Sequence, residues 1–244
     1  MSTMLRVLAA GSLRPVWPEL MTAFNAQSGL AAETLFGPAG LLRERIEQGE
    51  PCALFASASL AHADALVRQG MASESRVFTA NRLCLTARAE VVNAADSWLT
   101  LLQRPELRLA TSTPLSDPSG DYTWQMFAAL ERRYPGLGDN LRQRAQTLVG
   151  GADSLPLPAG ALAAHWLLSN GYADLFIGYA SYAPRLALFP ALRVFDIPAA
   201  DNIFAHYGYA ICQPSAQPLA RFLHSATAQT MLLQYGFLLP EPQS

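Results

Sequence analysis

Residues 5–29, LRVLAAGSLRPVWPELMTAFNAQSG, decide the reading of the fold. Leu5–Ala9 is a short apolar run of the kind that forms a buried strand, and Gly11-Ser12 interrupts it. From Val16 onward the apolar period becomes helical, with Val16, Leu20, Ala23 and Phe24 on one face. Pro15 and Pro18 fall in the first turn, where a missing N–H costs little. Gly29 supplies the left-handed residue that closes such a helix. Strand, turn and helix together make one βα unit.

The unit repeats. Ala32–Phe36 reads as a second strand, followed by a helix from about Gly40 to Gln48 that stops at Gly49. Ala53–Ser57 is a third strand and Leu60–Gln69 a third helix, closed by Gly70. This alternation predicts an α/β fold with mostly parallel sheets. Val77–Ala87 then reads as one long strand interrupted at Asn81-Arg82, a crossing into a second lobe. That lobe is expected to contain strands at Leu107–Thr111, Ala173–Tyr179 and Leu192–Ile197. Its helices are expected at Tyr122–Tyr134, with Trp124, Phe127, Ala128 and Leu130 inward, at Leu141–Val149 and at Leu162–Leu168. Pro198-Ala-Ala-Asp-Asn202 leads back to a strand at His206–Cys212 and one terminal helix at Pro218–Tyr235. The expected organisation is discontinuous: residues 1–80 with 199–244 form one α/β lobe and 81–198 the other. A two-stranded connection of that kind is a hinge, with a ligand cleft expected between the lobes.

Composition narrows the function. A chain of 244 residues that is 51% hydrophobic and 15% charged has ample material for such lobes. Its formal net charge of −2 offers nothing to a polyanion, so no nucleic-acid partner is expected. All 17 basic residues are arginine, which removes Schiff-base and phosphate-loop lysines. Cys52, Cys84 and Cys212 lack metal-ligand spacing and read as small core residues. In an oxidising compartment the pairings left open are Cys52–Cys212 and Cys84–Cys212. His62, His165, His206 and His224 stand isolated, and no nucleophile elbow, dinucleotide loop or phosphate loop is present. The expectation is a protein that is not an enzyme and uses no cofactor. No apolar run is long enough to span a membrane. Met1–Ala10 imitates a signal peptide, but its apolar stretch is shorter than most. An export signal therefore either precedes these residues, or the chain is a cytoplasmic member of an exported family.

Four loops share one property: each follows the strand side of a βα step and opens toward a helix with small or polar residues. The first holds Gly11, Ser12 and Arg14. The second, Gly37-Pro-Ala39-Gly40, brings no hydroxyl, so any contact there comes from main-chain N–H groups. The third, Ser116–Tyr122, offers Ser119 and Gly120, with Asp117 as helix cap. The fourth runs from Ser154 to Ala161. Ser12 has two readings, an ordinary cap and an anion donor, and Arg14 has two, a solvated side chain and an inward guanidinium.

Several of these segments resemble one family. Val7-Leu-Ala-Ala-Gly-Ser12-Leu13 looks like the first strand and loop of the periplasmic molybdate-binding proteins of ABC importers. Phe36–Ser59 is similar to that family's run from strand through helix to an xxDLFxSAD-like segment. Asp117-Pro-Ser-Gly-Asp-Tyr122 resembles the helix-opening motif of the second lobe as tungstate-type relatives write it. Ala173-Asp-Leu-Phe-Ile-Gly-Tyr179 resembles the strand that ends in the family's site tyrosine, and Tyr235-Gly-Phe237 its C-terminal motif. The resemblance implies a type II periplasmic-binding-protein fold that captures a dehydrated tetrahedral oxyanion with neutral donors. Carried over, Ser12 is a hydroxyl donor from one lobe and Tyr179 a phenol donor from the other.

The departures are as informative. Typical members place a serine where this chain has Pro38-Ala39-Gly40, and losing that donor costs about 1.5–3 kcal/mol unless backbone or water replaces it. Ala53 and Ser59 stand where the family carries aspartates, and Gly178 where tungstate-type relatives carry a carboxylate. A metal is thus expected only as part of an oxyanion. The resemblance implies a monomeric periplasmic solute-binding protein that delivers molybdate or tungstate to an ABC permease. The alternative is a cytoplasmic sensor or accessory protein of the same fold that binds another anion or a small carboxylate.

Overall fold

The computed structural model of the chain describes residues 4–240. The signal-like opening falls partly on residues 1–3, which lie outside the described residues. The chain divides into two compact units: one runs up to Asn81 and resumes at Ala205, and the other is Arg82–Phe204.

The first unit begins with β1 (Leu5–Ala10), α1 (Trp17–Ser28), β2 (Ala32–Gly37), α2 (Ala39–Glu47), β3 (Leu54–Ser57), α3 (Leu60–Arg68) and β4 (Glu74–Asn81). The second contains β5 (Leu83–Arg88), α4 (Trp98–Leu102), β6 (Leu109–Ser112), α5 (Pro118–Arg133), α6 (Leu137–Arg144), β7 (Gln146–Val149), α7 (Ala163–Ser169), β8 (Leu175–Tyr179), α8 (Ala183–Leu186) and β9 (Leu192–Asp196). The chain then completes the first unit with β10 (Ala205–Ile211), α9 (Gln217–Leu223) and α10 (Ala226–Gln234).

Each unit is built on a five-stranded sheet, in the orders β2-β1-β3-β10-β4 and β7-β6-β8-β5-β9. The pairings set four strands of each sheet running one way and a single strand, β10 or β5, against them. The α/β class with mostly parallel strands is therefore as the sequence implies. In the first unit Val7, Leu8, Leu54, Phe55 and Phe78 are fully buried in the sheet, and α1 covers it with Trp17, Leu20 and Phe24. Gly29, at φ 70°, ends α1, and its N–H donates to Asn25 O at 2.8 Å.

Five expectations are corrected. The long strand at Val77–Ala87 is two strands in different sheets, parted at Arg82. The return crossing falls at Phe204/Ala205 because Asn202 stays with the second unit, its side chain bonding both Leu83 N–H (3.0 Å) and Leu83 O (2.8 Å). Leu141–Val149 is the end of α6 followed by β7, since Gln146–Val149 finds a parallel partner in β6. The terminal helix is α9 and α10, divided where Ser225 accepts the Ala228 N–H and starts a new helix. On α5 the buried face is Tyr122, Thr123, Met126, Phe127 and Leu130, with Trp124 and Ala128 only half-buried.

The three cysteines are free, Cys52 and Cys84 buried. Among the described residues no helix is long and apolar enough to cross a membrane.

One ionic lock organises the second sheet. Asp174, just ahead of β8, receives Arg108 through its backbone N–H (2.9 Å), Nε (3.0 Å) and a terminal guanidinium nitrogen (2.9 Å), and Arg88 at 3.1 Å. It thereby ties together β5, β6 and β8. The Arg108 guanidinium holds the Asp174 carboxyl below the ordinary carboxylate range. A depressed folded pKa gives stability that is complete above the pKa of an unfolded aspartate and is lost as pH falls through the folded value. Asp174→Asn is expected to lower unfolding stability in urea by about 2–3 kcal/mol at pH 7. The gap should narrow below about pH 4, and a gap independent of pH would contradict this assignment.

Candidate functional site

In the first sheet the parallel strands β2, β1 and β3 end side by side: Ala10 pairs with Gly37, and Ala9 with Ala56, one residue before Ser57. Their loops therefore share one edge. Gly11–Leu13 forms a single 3-10 turn there, and a Cβ on Gly11 would lie 3.9 Å from Gly37 O, so the first two candidate loops touch through backbone. Ser12 is half-buried, and its Oγ accepts a 2.8 Å hydrogen bond from the Tyr207 phenol. Beside it α2 starts at the buried pair Ala39 and Gly40, with Pro38 at the cap position and no side-chain cap. The first amides of a helix have no intrahelical acceptor, and their dipoles sum to a positive end. Arg14 is exposed, its guanidinium 4.7 Å from the ring centre of Phe36, the residue before Gly37.

The same edge carries the end of β4 and the start of β10, where Asn81 pairs with Ala205. The candidate loops of the first unit thus lie at the edge by which the chain leaves it and returns.

In the second unit β6, β7 and β8 also end together, with Ser112 paired to Val149. Tyr179 closes β8 opposite Leu83, so it stands where the chain enters this sheet, and it is 6% exposed. Ser119 and Gly120 open α5, but their amides are already used. Ser119 N–H donates to Asp117 Oδ1 (3.1 Å) and Gly120 N–H to Asp117 O (2.8 Å). Gly120 serves close approach: a Cβ there would lie 2.6 Å from Ser112 O and from the backbone of Thr113 and Pro114. The Ala161 N–H turns back onto Pro158 O at 3.0 Å. Gly178, where tungstate-type relatives carry a carboxylate, has the Phe176 ring 2.6 Å from its Cβ position, so a larger residue would need that ring to move.

Two of the histidines pack against aromatic rings, and a third, His62, is hydrogen-bonded through Nδ1 to the Arg43 guanidinium at 3.1 Å. His165 stacks on Phe189 with centroids 3.7 Å apart, and His224 meets Tyr209 edge-on at 5.7 Å. Among the described residues no group of three or more His, Cys, Asp or Glu could hold a metal ion.

Residues 5–238 match the family of bacterial extracellular solute-binding proteins. The chain belongs to that family. Its members are binding proteins rather than catalysts. This solute-binding protein is 44% identical over 236 residues to an uncharacterized protein, PM1146, of Pasteurella multocida (strain Pm70), covering 96% of this chain and 98% of that one. Its fold is similar to that of the Azotobacter vinelandii periplasmic molybdate-binding protein, with TM-score 0.75 and 23% identity over 97% of this chain and 100% of that one. It is similar also to the sulfate-binding protein SubI of Mycobacterium tuberculosis H37Rv, with TM-score 0.80 and 19% identity over 98% and 88%. The fold is thus that of a type II periplasmic binding protein, two α/β lobes joined by a short strand hinge.

Sequence reasoning missed Tyr207, Asn81 and Ser57 at this edge. Tyr207 is fully buried and packs edge-on against Phe237 of the Tyr235-Gly-Phe237 motif, with centroids 5.4 Å apart. The alternation Tyr207, Tyr209, Ile211 in β10 was the available signal, since it marks one face of the strand.

Asp117 gives the solute-binding protein a pH signature. Gly150, at φ 80°, lies against its carboxyl, and its Cβ position is 2.6 Å from Asp117 Oδ2. Burial pushes the Asp117 carboxyl up to about 6, against the pull of the Ser119 amide and Ser112 hydroxyl. A folded pKa above the unfolded one means that the folded protein holds the proton more tightly. The contribution of Asp117 to stability is therefore expected to rise as pH falls from 7 through 6 toward 4. Asp117→Asn keeps the cap and should remove that rise while raising the midpoint of thermal unfolding at pH 7. Identical pH profiles in parent and variant would contradict the assignment.

Proposed function

We propose that this solute-binding protein captures one small oxyanion, molybdate or tungstate, for an ABC permease in the periplasm. On this reading the unit that runs up to Asn81 and resumes at Ala205 and the Arg82–Phe204 unit are lobes that close on the ligand. The observation that carries it is the placement of Ser12 and of the uncapped start of α2 directly after two adjacent strands, β1 and β2. A dehydrated oxyanion needs several hydrogen-bond donors, each worth about 1.5–3 kcal/mol when one partner is charged. The first lobe supplies the Gly11–Ser12 turn and the Ala39–Gly40 amides, the latter taking the place of the hydroxyl that Ala39 lacks. Tyr179 is the proposed donor from the second lobe, and Ser119 contributes through its hydroxyl, since its amide and those of Gly120 and Ala161 are engaged elsewhere. The solved relatives that bind molybdate and sulfate support an oxyanion as the cargo.

A second reading rests on Arg14. Held over Phe36 beside the start of α2, it could pair with a carboxylate, which favours a small organic anion and a role as sensor or accessory protein.

Isothermal titration of the full chain separates these. Molybdate or tungstate is expected to bind at one site per chain, and Ser12→Ala and Tyr179→Phe should each weaken binding about tenfold. Arg14→Ala should leave it within about twofold. Failure of molybdate, tungstate, sulfate and phosphate to bind below about 0.1 mM would overturn the inorganic-oxyanion reading. Binding of a small carboxylate that is lost in Arg14→Ala would establish the second.

A further inference from the structure

Behind Ser12 lies a chain of hydrogen bonds whose direction is set at its far end. Asn81 Nδ2 donates to the Tyr207 phenolic oxygen at 3.4 Å, and that phenol donates to Ser12 Oγ at 2.8 Å. An amide nitrogen is a donor only, whereas a phenol and a serine hydroxyl each hold one proton and can also accept. With the Asn81 N–H on its oxygen, the phenol turns its single proton toward Ser12. The serine oxygen accepts that proton, so its own proton points away from Tyr207.

Both residues behind Ser12 are fully buried, Asn81 and Tyr207 each 0% exposed, so the order is protected from solvent exchange of partners. Tyr207 is fixed from its other side by the edge-on Phe237 ring. Phe237 is fixed in turn by the bridge in which Ala80 and Leu238 exchange N–H···O bonds of 2.9 and 2.8 Å. Opposite Tyr207 the pairing of β4 with β10 skips Phe78, so the bulge lies in β4, while β10 keeps an unbroken register on β3 from Gly208 onward. The phenol thus has little freedom to turn away from Ser12.

We propose that Tyr207 and Asn81 are positioning residues that polarise Ser12 and fix its hydroxyl as a hydrogen-bond donor to the bound anion. This rests on the reading of Ser12 as an anion ligand. Without the pair, the Ser12 hydroxyl turns freely and can present a lone pair to the guest, which an anion oxygen disfavours. Hydrogen bonds in such a chain also strengthen one another, so the last donor is a better one for having two behind it.

The test is a double-mutant cycle on the full chain, with molybdate and tungstate as the probes and isothermal titration as the readout. Tyr207→Phe is expected to weaken binding about five- to tenfold when Ser12 is present and to change it less than about twofold in Ser12→Ala. A purely structural tyrosine would lower affinity by the same factor in both backgrounds, and that result overturns the proposal, as does an unchanged affinity in Tyr207→Phe alone. Circular dichroism and thermal midpoints check folding. Asn81→Ala, which keeps the phenol and removes its donor, supplies a second cycle with Ser12→Ala if Tyr207→Phe does not fold. A parent chain that binds neither probe overturns the anion reading of Ser12 and the positioning role with it, whereas a parent that binds without coupling overturns the positioning role alone.

Discussion

The hydrogen bond between Tyr207 and Ser12 joins residues 195 positions apart in the chain. Ser12 sits in the first loop, and Tyr207 arrives only after the chain has built a whole second unit and returned. It reaches Ser12 because β10 inserts antiparallel between β3 and β4 rather than adding to an edge. The first unit therefore has no finished sheet and no finished candidate site until residues 205–240 are in place. The Tyr235-Gly-Phe237 segment fits this logic, since Phe237 packs on Tyr207 and Leu238 bridges to Ala80.

The two units spend their helix starts differently. In the first, α2 begins behind Pro38 without a side-chain cap, and Ala39 and Gly40 leave its first turn close to the Ser12 loop. In the second, Asp117 takes up the start of α5 with its own carboxylate, buried under Gly150 at a cost that shows in its raised pKa. A helix start already neutralised by an internal carboxylate has less positive field to offer an anion. The proposed division of labour follows: main-chain amides and a hydroxyl from the first unit, side-chain hydroxyls from the second.

The fold was legible wherever proline and glycine punctuate the chain. Gly29, Gly49 and Gly70 end helices as read, and α1 to α3 fall close to their expected limits because local chemistry sets them. Reading failed where tertiary pairing decided. Gln146–Val149 continues a helical period but becomes a strand because β6 is beside it. The break in the terminal helix had a local signal in Ser225, an ordinary cap residue, which the apolar period on either side concealed. At the candidate site, Ser12, Ala39 and Gly40 were visible because each sits at a strand-to-helix turn. Tyr207 was not, because its chemistry depends on a partner in another part of the chain. The amides of Ser119, Gly120 and Ala161 looked available in sequence, and only the hydrogen bonds show them taken.

Anomalous X-ray diffraction at the tungsten edge, from crystals of the full chain grown with tungstate, tests the central claim most directly. The account expects one tungsten peak per chain, its oxygens within about 3 Å of Ser12 Oγ and the Tyr179 phenol. Tungsten lodged elsewhere, with Ser12 and Tyr179 on surfaces that share no ligand, would contradict it.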